Sequence, residues 1–364
     1  MRLDELETPA LLIDLDVMER NLLRVSDYAR SYGLRLRPHT KTHKTPALGR
    51  RQIELGAAGL TVAKVGEAEV MLGADPPDLL VAYPVIGARK LQRLTDVARS
   101  TRVTVSLDSL EAAAPLSAAA SQAGVELGVL CELDVGLKRV GVRPGSELVS
   151  FAQALRKLPG LCVQGIAFYP GQIKSLDEEG LRAIDHISQT VECCVRDLRH
   201  AGMEPEVVSG GSTPTLFHSH DVAGMNEIRP GTYIFNDRNT VACGGASWDD
   251  CAASILTTVV SASVSGQIII DGGSKTFSSD RLVTDPEAGF GQVVEAPRAV
   301  FQKMNEEHGY IDITRAGRSF SVGERLRVIP NHVCVAVNLH EYMYGVRGDT
   351  VEAVWKVEGR GKLQ

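Results

Sequence analysis

The sequence predicts an α/β protein in which a TIM-like (β/α)8 barrel is followed by a mainly antiparallel β domain. From about Ala10 to Asp237, short β-branched runs alternate with longer amphipathic stretches, as in a chain of βαβ units. After about Asn239 only short β-rich runs remain, separated by Gly, Asp, Asn and Pro. A chain of 364 residues is long enough for both parts. We predict a barrel over residues 10–239 and a β domain over 240–364, with residues 1–9 packed on the β domain.

Eight short runs are the predicted barrel strands, and eight βα repeats favour a closed barrel over an open sheet. They are Ala10–Asp14, Leu34–Pro38, Gly59–Ala63, Leu79–Ala82, Val103–Leu107, Val129–Leu133, Gly165–Tyr169 and Glu206–Ser209. Helices are predicted between them, for example over Asp16–Ser31, Pro46–Leu55, Gly66–Leu72 and Asp177–Ala201. In such a barrel the catalytic residues lie at the carboxyl ends of the strands.

The predicted β domain has strands without a long helical period between them. The candidate strands are Ile255–Ser263, Gln267–Asp271, Gly309–Thr314, Arg325–Ile329, Cys334–Leu339 and Val351–Val357.

Composition excludes several classes of protein. The net charge is −6, which argues against a nucleic-acid partner. No apolar run approaches the roughly 20 residues that span a bilayer, so no membrane association is expected. The first residues are acidic and lack the apolar core of a secretory signal. The seven cysteines follow no framework, so we expect reduced thiols and a cytoplasmic location.

The run Arg37-Pro38-His39-Thr40-Lys41-Thr42-His43-Lys44 follows a predicted strand and contains the candidate catalytic residue, Lys41. Desolvation and cationic neighbours lower the pKa of a lysine, and a neutral amine is the form that attacks an aldehyde. The run therefore suits a Schiff-base lysine. A basic surface loop is the alternative that these residues alone leave open.

A second candidate is the loop Ser209-Gly210-Gly211-Ser212-Thr213-Pro214-Thr215. Its glycines allow backbone N–H groups to approach an anion, and its hydroxyls add donors, so it could hold a phosphate. Gly231 and Tyr233 follow the next strand position and could complete that site. A tight barrel loop without a ligand is the alternative.

Two further positions could contribute polar side chains. Arg139 follows the strand Val129–Leu133 and could donate to a phenolate or a carboxylate, or pair with Asp134. His332 and Cys334 are two residues apart, and on a strand such side chains point the same way and could bind one metal ion. A core cysteine beside a turn histidine explains the same pattern. His218 and His220 beside Asp221 could also bind a metal or lie in a solvated loop, and Glu306–Gly309 is another polar cluster that an exposed turn explains as well.

Taken together, these motifs resemble the D-threonine aldolase and D-serine dehydratase family of alanine-racemase-like pyridoxal-phosphate enzymes. The likeness covers nearly the whole chain. It is carried by Thr8-Pro9, RPHTKTHK at 37–44, TVAKVGEAE at 61–69, KRVGV at 138–142, SGGSTPT at 209–215, EIRPGTYIFND at 227–237, EEHG at 306–309 and PNHVC at 330–334. RPHTKTHK followed by a late PNHVC is the most specific combination.

The resemblance implies pyridoxal 5′-phosphate bound to Lys41, a divalent metal and a homodimer with the active site near its interface. Arg139 matches the arginine near the cofactor O3′, and His332 and Cys334 match the metal ligands. The positions implied to contact the cofactor are Lys41, Arg139, Tyr169, Ser209, Gly210, Gly211, Thr213, Gly231 and Tyr233. The metal could be Zn²⁺, Mn²⁺, Mg²⁺ or Co²⁺.

The implied substrate is a D-amino acid with a β-hydroxyl group. Retro-aldol cleavage of a D-threonine-like substrate to glycine and an aldehyde is the main interpretation. Dehydration to a 2-keto acid and ammonia is the alternative, since Cys334 resembles the dehydratase branch whereas aldolases commonly carry an aspartate there. A histidine that often lies at or near Gln172 in relatives is also absent. An amino-acid racemase is a further alternative.

Overall fold

The computed structural model describes every residue from Met1 to Gln364 and divides into two compact units. The barrel unit contains Arg24–Lys41, Thr45–Gly231 and Gly361–Gln364, and the β unit contains Met1–Leu23, Thr42–Lys44 and Thr232–Arg360. This division differs from the predicted one, because residues 10–23, 42–44 and 232–239 belong to the β unit and residues 361–364 belong to the barrel unit. The first regular elements are strand β1 (Ala10–Asp14) and helix α1 (Leu15–Ser31).

The barrel unit contains eight parallel strands, in agreement with the predicted fold class. They are β2 (Arg35–Leu36), β3 (Leu60–Val62), β4 (Asp78–Val81), β5 (Arg102–Leu107), β6 (Leu127–Leu133), β7 (Leu161–Phe168), β8 (Val207–Gly210) and β9 (Glu227–Ile228). They pair in the order β2-β9-β8-β7-β6-β5-β4-β3. Residues just beyond β2 then pair with β3, since the Thr61 N–H donates to Pro38 and the Thr40 N–H donates to Thr61, both at 2.8 Å. These bonds close the sheet.

Six helices follow strands of the barrel unit. They are α2 (Pro46–Glu54), α3 (Val65–Met71), α4 (Ala88–Ala98), α5 (Leu110–Ala123), α6 (Ser146–Leu155) and α7 (Glu178–His200). Helix α7 confirms the helix predicted over Asp177–Ala201. A capping side chain explains where the helix begins. The Asp177 carboxylate accepts hydrogen bonds from the N–H groups of Glu179 and Gly180, both at 3.0 Å. None of the helices combines the length and apolar character that would let it span a membrane.

The β unit is built on a nine-stranded sheet that includes β1. Its other strands are β10 (Ala253–Ser261), β11 (Gln267–Ile270), β12 (Gly291–Val293), β13 (Val300–Met304), β14 (Gly309–Asp312), β15 (Arg325–Pro330), β16 (Tyr342–Arg347) and β17 (Thr350–Lys356). The main path is β13-β14-β11-β10-β1-β16-β17, and β15 pairs with β10 and β12. Only β1 and β16 are parallel neighbours. Three short helices complete the unit: α8 (Arg238–Ala242), α9 (Ser274–Phe277) and α10 (Val333–Leu339).

Two predictions about individual elements are wrong. Ala10–Asp14 was predicted as the first barrel strand, but it pairs with β10 and β16 in the β unit. Cys334–Leu339 was predicted as a strand, but it lies in helix α10. Both runs are short, apolar and buried. Such a run has the same sequence pattern in a strand of either sheet and in a buried helix, so periodicity alone could not assign its secondary structure or its partner strands. The eighth barrel strand is Glu227–Ile228 instead of Ala10–Asp14.

A buried ion network joins the strands beneath the barrel's carboxyl end. Arg37 is 1% exposed, and its guanidinium donates to Glu227 at 2.9–3.0 Å and to Asp78. The Ser209 hydroxyl donates to the other oxygen of Glu227 at 2.7 Å. Burial raises the pKa of Asp78, and the charge of Arg37 opposes that rise. The network fixes the end of β2 relative to β4, β8 and β9.

Replacing Arg37 by methionine leaves Glu227 and Asp78 buried without their main counter-charge. We expect Arg37→Met to lower the free energy of unfolding by about 3–5 kcal/mol, as for other broken buried ion pairs. Urea denaturation followed by circular dichroism measures this loss. Arg99→Met is the matched control, because Arg99 pairs with Asp96 at the exposed surface and should cost at most about 1 kcal/mol. Equal losses in the two variants would contradict the role given to the network.

Candidate functional site

Lys41 lies beyond the carboxyl end of β2, in the barrel unit. Its backbone N–H donates to the His39 imidazole at 3.3 Å, and its ammonium nitrogen is 5.9 Å from the centroid of the Tyr169 ring. The cationic surroundings predicted from the sequence are partly neutralised, because Arg37 is bound by two carboxylates. Lys44, the other lysine of the motif, belongs to the β unit and is directed to the Gly359 carbonyl at 3.5 Å. Lys41 is therefore the motif lysine at the barrel mouth.

Arg139 and Lys41 both lie against Tyr169, which follows β7. The Arg139 guanidinium carbon is 5.1 Å from the ring centroid. The alternative ion pair with Asp134 is not formed, since Asp134 instead accepts the backbone N–H groups of Gly136 and Lys138 at 2.9 and 3.0 Å. Tyr169 thus brings together two cations from segments that are far apart in the sequence.

The glycine-rich loop begins at the end of β8. A Cβ atom at Gly210 would lie 2.3 Å from the Phe168 ring, and Gly211 has a φ of +85°, so larger residues do not fit this turn. Next to it, the Ser219 hydroxyl is buried and has no hydrogen-bond partner. Thr213 is buried in the same loop. The hydroxyl of Ser209, in contrast, is bound to Glu227, so it is not a donor of this loop.

Arg229 is a residue that sequence reasoning missed. It follows β9, its backbone N–H donates to Gly210 at 3.0 Å and its side chain donates to the Phe168 carbonyl at 2.9 Å. Burial lowers its pKa, and the charges of Glu132 and Glu227 act against that decrease. Its Nε–H is buried without a partner. The sequence did contain a signal for Arg229, since a charged residue stands directly before Pro230 at a strand position. That run was examined only for Gly231 and Tyr233.

Gly231 and Tyr233 lie where the chain passes from one unit to the other. Gly231 is the last residue of that barrel segment, and Thr232 begins the β unit. Tyr233 is buried in a short 3₁₀ helix, Thr232–Ile234. Their predicted contact with a phosphate stays a prediction.

His332 and Cys334 lie close together in the β unit, although not on a strand. His332 occupies the position before the first residue of α10 without a capping hydrogen bond from its side chain, and Cys334 is in the first turn. The side chains of His332 and Cys334 are within hydrogen-bonding reach. Electrostatic interaction with Cys334 raises the pKa of His332 well above its usual value, and a hydrogen bond to Asp237 adds to this rise against the effect of burial.

Asp237 is the second residue that the sequence did not single out. It is fully buried, and one carboxylate oxygen accepts from His332 Nδ1 at 3.1 Å and from the Val333 N–H at 3.0 Å. Its other oxygen accepts the Thr240 N–H at 2.9 Å, at the start of α8. Asp237 therefore fixes the orientation of the His332 ring through Nδ1.

Cys334 also contacts the segment that follows the candidate lysine. The Thr42 hydroxyl is 3.2 Å from its sulfur, and the Thr232 hydroxyl is 3.8 Å away. Thr42 belongs to the β unit and is joined by a peptide bond to Lys41. Nowhere in the chain do three or more His, Cys, Asp or Glu side chains form a group suited to a metal ion. A metal at His332 and Cys334 would keep its other positions for small molecules.

The remaining sequence candidates lie elsewhere. His218 and His220 both approach Asp221, at 3.1 and 3.4 Å, in a 3₁₀ helix of the barrel unit. The Glu306–Gly309 turn is largely exposed, and Glu307 pairs with Lys275 at 2.6 Å. Neither cluster joins the residues described above.

Comparison with known families covers both parts of the chain. The family model described as "Alanine racemase, N-terminal domain" matches residues 13–239, and the model described as "Putative serine dehydratase domain" matches residues 252–346. A relative, 3-hydroxy-D-aspartate aldolase of Paracoccus denitrificans, is 33% identical, and the alignment covers 98% of this chain and 93% of the relative.

Solved structures give the same result. The crystal structure of D-threonine aldolase from Filomicrobium marinum has a TM-score of 0.94 and 32% identity, with 100% of this chain and 98% of that chain covered. D-threo-3-hydroxyaspartate dehydratase from Delftia sp. has a TM-score of 0.89 and 30% identity, with 98% of each chain covered. That dehydratase has also been solved as a cysteine-to-alanine variant in the metal-free form and as a histidine-to-alanine variant. The chain belongs to the family of alanine-racemase-like proteins that contains the D-threonine aldolases and the D-serine dehydratases.

Proposed function

We propose that this protein is a pyridoxal-phosphate- and divalent-metal-dependent lyase that cleaves D-β-hydroxy-α-amino acids to glycine and an aldehyde. The observation that carries the proposal is the sequence adjacency of Lys41 and Thr42. Lys41 is at the barrel mouth with Arg139 and Tyr169, while the next residue contacts Cys334 of the His332–Cys334 pair. A nucleophilic amine and a pair of metal-ligand side chains are thus linked through one peptide bond.

Several features of the barrel unit fit pyridoxal phosphate. Gly210 has no room for a side chain and Gly211 has a positive φ, and the Nε–H of Arg229 and the hydroxyl of Ser219 are buried without partners. Unpaired buried donors are unfavourable, so a ligand that accepts from them would be stabilised. The bound cofactor would supply an aldehyde for an amine and a ring that accepts electrons from a substrate Cα.

Each barrel residue has a defined part in this proposal. Lys41 would provide the amine and Arg139 would donate to the phenolate oxygen, with the Tyr169 ring against both side chains. The turn at Gly210 and Gly211 would hold the phosphate together with Thr213, and the predicted contacts of Gly231 and Tyr233 would complete its set. Ser209 instead supports the loop from below through Glu227.

The donor set in the β unit fits a divalent metal. An imidazole fixed by a carboxylate beside a thiol is a typical arrangement for Zn²⁺, and the open positions also suit Mn²⁺, Co²⁺ or Mg²⁺. Bound there, the metal would supply Lewis-acid polarisation of the β-hydroxyl oxygen. His332 and Cys334 would hold it, and Asp237 would orient His332.

Dehydration to a 2-keto acid and ammonia is the second candidate, and one observation favours it. The histidine and the cysteine substituted in the Delftia dehydratase variants are two positions apart, which is the spacing of His332 and Cys334. In this reaction Lys41 removes the Cα proton, whereas aldol cleavage requires a base for the hydroxyl proton. Gln172 is not such a base, because its amide donates to the Val135 carbonyl at 2.7 Å and cannot bind a proton at neutral pH.

Incubation with D-threonine separates the two reactions by their products. We expect acetaldehyde and glycine, no turnover of L-threonine, and loss of activity with a chelator that Mn²⁺ or Zn²⁺ restores. Acetaldehyde is measured with alcohol dehydrogenase and NADH, and 2-oxobutyrate by its hydrazone. If 2-oxobutyrate is the product and no acetaldehyde forms, the protein is a dehydratase and the main proposal is wrong.

Lys41→Ala should remove the visible absorbance of the linkage between lysine and pyridoxal phosphate, because no other amine takes this place. In the unaltered protein, borohydride reduction followed by mass spectrometry should find the pyridoxyl group on Lys41 and not on Lys44. Lys157→Ala, which changes an exposed lysine after α6, is the control and should keep the spectrum. A pyridoxyl group on a peptide without Lys41 would exclude the assignment.

Asp237→Asn should weaken metal binding by about 10- to 100-fold, because the substitution removes the charge that orients the His332 ring. Chelator competition with Zn²⁺ measures this affinity, while the cofactor absorbance reports that the barrel unit is intact. Asp249→Asn removes an exposed carboxylate and should leave the affinity unchanged. An unaltered affinity in Asp237→Asn would show that the metal binds elsewhere.

A further inference from the structure

We propose that Thr42 couples the two cofactor sites, so that a divalent metal at His332 and Cys334 and pyridoxal phosphate at Lys41 raise each other's affinity. Thr42 is a positioning residue in this proposal, because it contacts the Cys334 sulfur and acts on Lys41 through their shared peptide bond. The inference rests on the proposed lyase function and adds a mutual dependence of its two cofactors.

The contact between Thr42 and Cys334 is shielded from water. Thr42 is fully buried in the β unit, and its hydroxyl lies 3.2 Å from the Cys334 sulfur. Cys334 belongs to the same unit and is also buried. Either atom of the pair can donate the hydrogen, because a hydroxyl and a thiol each carry one proton. A hydrogen bond in such surroundings is electrostatically stronger than one in water.

Metal binding removes the choice of donor. A cysteine binds a metal as the thiolate, which has no proton and can only accept a hydrogen bond. The Thr42 hydroxyl must then donate, and a hydrogen bond to an ionised acceptor is roughly twice as strong as one between neutral groups. The metal therefore strengthens the restraint on Thr42. Such a difference between the metal-free and the metal-bound state is what coupling requires.

Lys41 lies between two anchored threonines. On one side, the Thr40 backbone N–H and the Thr40 hydroxyl both donate to the Thr61 carbonyl, at 2.8 and 3.1 Å. On the other side is Thr42. The Lys41 backbone N–H makes a longer bond, at 3.3 Å, to the His39 imidazole. Firmer anchoring of Thr42 therefore orders Lys41 before the cofactor binds, which reduces the conformational entropy that binding costs.

The dependence must run in both directions. If the metal raises the affinity for pyridoxal phosphate by some factor, pyridoxal phosphate raises the affinity for the metal by the same factor. Couplings between sites are typically about 5- to 150-fold. Here one hydrogen bond acts through one neighbouring residue, so we expect a factor near the lower end, of about 5 to 10.

The unaltered protein provides the first test. The dissociation constant of pyridoxal phosphate is measured from visible absorbance, by titrating apoenzyme with and without Zn²⁺. That of Zn²⁺ is measured by chelator competition, with and without the cofactor. We expect each constant to fall by the same factor, about 5 to 10, when the other ligand is present. If neither constant depends on the other ligand, the coupling is refuted and the proposed lyase function is unaffected.

Variants assign the coupling to the Thr42 hydroxyl. Thr42→Val removes the hydroxyl and should lower the coupling factor to about 1, whereas Thr42→Ser keeps the hydroxyl and should keep the coupling. Thr232→Val is the matched control, because the Thr232 hydroxyl is 3.8 Å from the same sulfur but Thr232 is not adjacent to Lys41. It should keep the coupling factor. A Thr42→Val protein that couples as strongly as the unaltered protein would overturn the inference.

A spectroscopic signature separates this role from a purely structural one. Addition of Zn²⁺ to the holoenzyme should change the visible circular dichroism of the bound cofactor in the unaltered protein and in Thr42→Ser, but not in Thr42→Val. If pyridoxal phosphate does not attach to Lys41, or if no metal binds, the proposed function fails together with the inference. If both bind independently of each other, only the inference fails.

Discussion

The buried ion network around Arg37 is the interaction on which the candidate site depends. It ties the end of β2 to β4 and β9 inside the barrel, four residues before Lys41. β2 has only two residues in its regular ladder, so few backbone hydrogen bonds hold it in place. The guanidinium supplies the remaining constraint through charged hydrogen bonds that are shielded from water. Pairing of Thr40 with Thr61 then sets where the chain leaves the barrel, and with it the position of Lys41.

One buried carboxylate in each unit holds neighbouring segments in place through hydrogen bonds to both of its oxygens. In the barrel unit, Glu227 binds Arg37 with one oxygen and the Ser209 hydroxyl with the other, and Ser209 leads directly into the glycine-rich turn. In the β unit, Asp237 binds His332 and Val333 with one oxygen and caps α8 with the other. Each carboxylate accepts hydrogen bonds with both of its oxygens, and these contacts fix a segment of the candidate site. Rigid support of this kind keeps catalytic side chains in place before a ligand arrives.

The unpaired polar groups indicate where ligands belong. Arg229 Nε and Ser219 Oγ are buried without partners beside the glycine-rich turn of the barrel unit. A ligand that accepts hydrogen bonds would satisfy both groups.

The sequence by itself determined the fold class and the helix α7, and it singled out Lys41, Arg139, His332 and Cys334 as candidate site residues, whose roles stay predictions. These features are local: strand–helix alternation, a capping aspartate and polar residues after apolar runs are visible in single segments. Only the tertiary structure decided the sheet to which Ala10–Asp14 belongs and the helical state of Cys334–Leu339. The sequence of a buried apolar run does not specify the elements against which it packs. The same holds for Arg229, Asp237 and the pairing of Arg37. Their roles arise from contacts with residues tens or hundreds of positions away, and burial of a charge becomes visible only when those partners are in place.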